Sequence, residues 1–127
     1  MVEAPFDVLE VLVSDRIVLT LPADERFRSV ATLVLGGIGS RAELPYERMD
    51  DLQLAVLSAL GATDNETVTI EVAADGNGLR LALGPVRDGS GADDGLARVL
   101  SRLVDDVGHE SRDGAEWITL GLSAAPR

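Results

Sequence analysis

Apolar and polar positions along the chain follow two rhythms. Val8–Val13 and Arg16–Leu21 are apolar, β-branched-rich runs separated by Ser14-Asp15, a pattern that predicts two strands in a hairpin. Leu21-Pro22-Ala23-Asp24 then opens a helix, because proline fits a first helical turn and acidic side chains complement the helix dipole there. Phe27, Val30, Ala31, Val34, Leu35 and Ile38 recur at the three-four spacing of a buried helical stripe. Gly36 and Gly37 weaken its end by about 1 kcal/mol each relative to alanine, and they let another backbone approach. Leu44-Pro45-Tyr46 breaks the chain before a second helix, Glu47 to Ala62, with Leu52, Ala55, Val56 and Ala59 as its core stripe.

The rhythm then shortens. Thr67 to Ala73 and Leu79 to Leu83 read as strands, and the Asp-Gly and Asn-Gly steps between them signal a tight antiparallel turn. Gly84 to Asp94 has three glycines, a proline and no apolar period, so it reads as loop. A third helix is predicted from Gly95 to Val107, with Leu96, Val99, Leu100, Leu103, Val104 and Val107 on one stripe and Asp93 or Asp94 as its cap. Glu116 to Leu122 alternates as a last strand, and a short extra strand near Ser111 is allowed. The order β-β-α-α-β-β-α-β predicts an α+β two-layer sandwich: a mostly antiparallel sheet covered on one face by three helices.

Composition narrows the function classes. A chain of 127 residues with 46% hydrophobic residues is expected to form one domain with a real core, residues 1–127. Aromatic content is only 3%, so that core is aliphatic. The net charge of −11 argues against nucleic acid as a partner, since phosphates need a basic surface. It suits a basic protein partner, whose approach such a field would speed. No apolar run reaches the roughly 20 residues of a membrane helix, and the N-terminus lacks a signal-peptide pattern, so the expected location is the cytoplasm. There is no cysteine and no lysine, which removes thiol chemistry, Schiff bases and a P-loop lysine. His109 is the only histidine, so a two-histidine metal site is impossible. Ser101, His109 and Asp113 can be assembled into a triad on paper, but an acidic chain offers many such combinations.

One stretch carries more than composition. Asp51-Leu-Gln-Leu-Ala-Val-Leu-Ser-Ala-Leu-Gly-Ala62 resembles the second helix of the anti-sigma-factor and serine-kinase branch of the GHKL ATPases, which runs roughly D-L-x-L-A-V-x-E-A-x-x-N. Leu21-Pro-Ala-Asp24, the β-hairpin after the second helix, Gly95-Leu96, Leu103 to Val107 and Gly114 before a strand follow in the family's order, so the resemblance spans Arg16 to Leu122. It implies the two-layer fold just described. It also implies a nucleotide site, in which the family's Glu activates a nucleophile and its Asn holds Mg²⁺. Here Ser58 stands at the Glu position and Ala62 at the Asn position. Gly84-Pro85-Val86 stands where the adenine-reading Asp-x-Gly belongs. The phosphate turn keeps only Gly95, behind Asp93-Asp94, and Gly114 is followed by Ala115 rather than a hydroxyl residue. The chain thus resembles a degenerate member without cofactor or metal.

The implied function is non-catalytic regulation, by binding a sigma factor or an anti-anti-sigma protein in bacterial transcription control. A homodimer is a further expectation. Two alternatives stay open: an active ATP-dependent serine/threonine kinase with an atypical site, and a purely structural oligomerisation module. In the resembling family the first helix contributes to partner contacts, so Asp24, Glu25, Arg28, Gly36 and Gly37 are the candidate partner-binding residues.

Overall fold

The structure is a computed structural model and describes residues 16–63, 65–75 and 78–123. The strand expected over Val8–Val13 lies outside the described residues. Among the described residues, five strands form one antiparallel sheet: β1 (Arg16–Pro22), β2 (Thr67–Asp75), β3 (Gly78–Val86), β4 (Asp106–Arg112) and β5 (Ala115–Ser123). Their spatial order is β1-β2-β3-β5-β4, with every neighbouring pair antiparallel. Three helices, α1 (Arg28–Arg41), α2 (Tyr46–Leu60) and α3 (Asp94–Leu103), cover one face. This is the α+β sandwich that the order of elements predicts.

The core follows from the strand period of two. Val68, Ile70 and Val72 of β2, Leu79, Leu81 and Leu83 of β3, and Ile118, Leu120 and Leu122 of β5 are all buried. They meet Ala31 and Leu35 of α1, Leu52, Ala55, Val56 and Ala59 of α2, and Leu100 of α3 in one cluster. The alternate strand residues form the sheet's other face.

Several boundaries differ from the sequence expectation, each for a local reason. Asp24 caps a single 3₁₀ turn, Glu25–Phe27, before α1 begins. α1 then runs through Gly36-Gly37 to Arg41 instead of ending at Ile38. It survives its glycines because Gly39 lies against α2, where a Cβ would collide with the end of Met49. The roll of the helix places Ala31, Leu35 and Ile38 in the core. It leaves Val30, expected in the buried stripe, 37% exposed, and Leu33 78% exposed. α2 ends at Leu60 with Gly61 as its C-cap, so Ala62 lies beyond the helix. β3 continues to Val86, through a cis Gly84-Pro85 bond, where a loop was expected.

The largest correction concerns α3. Apolar spacing carries it to Val107, yet Val104 is already extended at φ −127°, ψ 170°, and the helix stops at Leu103. Val107 belongs to β4, where it pairs with Leu120. The short strand allowed near Ser111 is therefore a seven-residue edge strand. Val99, also expected on the buried stripe, is 46% exposed. No helix among the described residues is long and apolar enough to cross a membrane.

Candidate functional site

Of the positions singled out by the resemblance, Ala62 is tied by hydrogen bonding to the end of β3. Ser58 is half-buried near the C-terminal end of α2. Ala62 is buried in the turn that follows, and its N–H donates to the Ala59 carbonyl at 2.9 Å. Its own carbonyl accepts the Arg87 N–H at 2.9 Å. Next to it, the Thr63 hydroxyl donates to the Pro85 carbonyl at 2.8 Å. The end of α2 is thereby tied directly to the end of β3. Ser58, Leu54 and Ala62 do not form one helical face, because the helix stops before the last of them.

Gly84 is buried on the sheet face opposite the helices, under Trp117. A Cβ there would lie 2.7 Å from Trp117 Cγ and Cδ2. A ring cannot step aside as a flexible chain end can. Gly84→Ala is therefore expected to cost about 1–3 kcal/mol of stability through overpacking. It should also shift the emission of Trp117, the only tryptophan. Unaltered emission and an unaltered urea midpoint would show that the ring does not set this position.

Gly95 lies in the first turn of α3, whose start is already occupied. The Asp93 carboxylate accepts the Leu96 N–H at 3.0 Å, capping the helix as the sequence suggests. The segment between β3 and α3 is held by a residue that sequence reasoning missed. Glu116 accepts the Gly89 N–H at 2.9 Å and, with its other oxygen, the Gly91 N–H. These two backbone hydrogen bonds hold its carboxyl below the usual carboxylate range. Gly91 has no room for a side chain, since a Cβ would collide with His109 and Glu116. Only the glycines at 89 and 91 hint at this in the sequence.

The five candidate partner-binding residues do not form one surface. Asp24 and Glu25 are exposed, but Asp24 is engaged by Arg26 at 2.9 Å. That guanidinium, with the Arg26 N–H, holds the Asp24 carboxyl below its usual range. Arg28 is half-buried at the start of α1. It lines a shallow depression with Asp24, Phe27, Leu60 and Thr63. Gly36 turns toward α2, its Cβ position 3.6 Å from Gln53 Nε2, and Gln53 also donates to the Thr32 carbonyl at 2.9 Å. Gly37 points outward, with nothing within 4 Å of its Cβ position.

What the helical layer does present is apolar. Val30 and Leu33 on α1, Tyr46 and Leu54 on α2, and Val99 on α3 are exposed, Tyr46 to 81% and Leu54 to 53%. Val30, Leu33 and Gly37 follow each other at three- and four-residue spacing, so they share one side of α1. α1 contains no acidic residue. Among the described residues, no group of three or more His, Cys, Asp or Glu is arranged to hold a metal ion.

No family model matches the chain. It is 30% identical over 117 residues to the serine-protein kinase RsbW of Listeria monocytogenes serotype 4a, covering 84% of this chain and 69% of that protein. The same figures hold for the serine-protein kinase RsbW of L. monocytogenes serotype 4b. A shorter stretch of 46 residues is 46% identical to the serine-protein kinase RsbW of Listeria innocua, over 36% of this chain and 29% of that protein. With this identity over more than two thirds of the relative, and the sandwich described above, the chain belongs to the RsbW serine-protein kinase family.

Proposed function

We propose that the chain is a regulator of the anti-sigma-factor type that works by binding and has lost phosphoryl transfer. Its partner is a sigma factor or an anti-anti-sigma protein. The observation that carries this reading is the junction of α2 with β3. Ala62 stands in place of a Mg²⁺-binding side chain, lies beyond the helix, and has its carbonyl bonded to Arg87 N–H. The surrounding residues agree. Ser58 offers no carboxylate to activate a nucleophile. The Asp93 carboxylate sits at the start of α3, where a helix N-terminus would otherwise attract phosphate. The residues present do not fit a magnesium nucleotide. Phosphoryl transfer depends mainly on positioning and charge neutralisation, and these side chains supply neither.

A second reading, an active kinase with an atypical site, draws support from the name its relatives carry. Titration calorimetry separates the two. With Mg·ATP the chain is expected to show no binding tighter than about 1 mM, roughly −4 kcal/mol. Its complex with a sigma factor or anti-anti-sigma protein of the same organism is expected to form equally well with EDTA and without nucleotide. A micromolar affinity for Mg·ATP, or a complex that requires it, would restore the kinase reading.

A further inference from the structure

We propose that residues 87–93, between β3 and α3, form a strap that opens and closes as a unit of its own, and that the Glu116 carboxylate is the latch that keeps it closed with no ligand bound. Apolar burial does little to hold this segment. Arg87, Asp88, Gly89, Ala92 and Asp93 are exposed. None of residues 87–93 belongs to the apolar core cluster, which resumes on either side with Val86 and Leu96. The strap's internal hydrogen bonds are local: the Ser90 N–H donates to the Arg87 carbonyl at 3.0 Å, and the Ala92 and Asp93 N–H groups donate to Gly89 and Ser90 at 3.1 Å. A segment with little apolar burial and short-range hydrogen bonds opens locally while the core stays folded.

The closing contact is ionic. Glu116 is the second residue of β5, opposite Val86 of β3 and Ser111 of β4. By the strand period it shares the helix-covered side of the sheet with Ile118 and Leu120. One of its oxygens accepts the Gly89 N–H at 2.9 Å, and the other accepts the Gly91 N–H. Both oxygens of one carboxylate are thus taken by two donors two residues apart, as an anion is held in a backbone concavity. The strap is shaped for this contact. Gly89 has φ 90°, in the left-handed region that glycine adopts without strain. Gly91 lies so close to His109 and Glu116 that a Cβ would collide with both. At the start of the strap, the Arg87 N–H is tied to the Ala62 carbonyl at 2.9 Å. The flanking stretches, Gly84-Pro85-Val86 and Gly95, are those that the resemblance aligns with adenine and phosphate positions. On the reading that no nucleotide binds here, the segment between them has to be held by the chain itself, and Glu116 supplies the anion.

Amide hydrogen exchange followed by NMR reads the strap directly. The purified chain is used with EDTA and without nucleotide or partner protein, so the outcome is independent of the sigma-factor reading. The Gly89 and Gly91 amides are expected to be protected in the wild type. Glu116→Gln keeps the size of the side chain but removes its charge and one acceptor oxygen. Both amides are then expected to exchange about tenfold faster or more, while those of β2 and β3 stay unchanged. Gly91→Ala is expected to open the same strap with Glu116 intact. The double variant should exchange about as fast as the faster single variant, because both changes release the same contact. Wild-type amides at 89 and 91 that exchange like those of an unfolded chain overturn the proposal. So does a Glu116→Gln variant as protected as wild type, or full additivity in the double variant. Exchange in β2 and β3 that rises in step with the strap overturns it too, because the segment would then open only with the core.

Discussion

Asp105→Ala is expected to cost about 3 kcal/mol of stability, at the lower end of the range for unpairing a buried charge. The cost arises at Arg48, whose side chain is only 10% exposed at the start of α2. Its Nη2 donates to Asp105 Oδ2 at 2.8 Å, and its Nη1 reaches Asp51 at 3.4 Å. The same Asp105 oxygen accepts the Ser123 N–H at 2.7 Å, so one carboxylate joins α2, the α3–β4 junction and the end of β5. Asp51 and the 25% exposure of Asp105 keep the penalty from the top of the range. Arg48→Met is expected to be far milder, within about 1 kcal/mol, because it removes the buried charge instead of stranding it. Urea unfolding at constant m-value reads both changes. Equal losses in the two variants would mean that the Arg48–Asp105 contact itself, which both remove, sets the cost, and not the stranding of a buried charge.

That junction also marks where the sequence stops being legible. The three-four stripe of α2 and the alternation of β5 each reflect burial on one side, so periodicity alone finds them. The Asp-Gly and Asn-Gly steps find the β2–β3 connection because few residues adopt the backbone such turns need. At Leu103-Val104-Asp105-Asp106-Val107 the same logic fails. Val104 and Val107 continue a helical stripe and equally suit a strand, and the choice is made by β5, which offers β4 a free edge. Pairing between residues distant in sequence leaves no local trace. The partnership of Arg48 with Asp105, 57 positions apart, is invisible for the same reason. At the site, the frame from Asp51 to Ala62 rests on one helix and the turn after it. Gly61 signals the end of the helix in the sequence, and the structure stops it at Leu60, two residues before the expected Ala62. On α1 the apolar stripe gives the roll, with Ala31, Leu35 and Ile38 buried as the spacing predicts, and Val30 departs from it. With that stripe in the core, Leu33, which lies outside it, and Val30 face outward.

The outward turn motivates the second large effect. Leu33→Glu is expected to weaken the proposed partner complex by about 100-fold, near 2.7 kcal/mol, the scale of an interface hot spot. Its effect on stability is expected to stay within about 0.5 kcal/mol, since Leu33 is 78% exposed and loses little packing. Gly37→Leu should act in the same direction. Open space surrounds its Cβ position, so the new side chain disturbs no part of this chain and obstructs only what docks there. Charge also speaks to the partner. Asp24 is already matched by Arg26, and α1 carries arginine at both ends and no carboxylate. Although the chain as a whole attracts basic proteins, this helix suits an apolar segment flanked by acidic residues, and Asp24→Arg should change affinity less than Leu33→Glu. Surface plasmon resonance at two salt concentrations, paired with thermal unfolding of each variant, reads affinity and fold separately. If Leu33→Glu and Gly37→Leu both bind as wild type does, α1 is not the interface, and the exposed Tyr46 and Leu54 of α2 become the surface to mutate next.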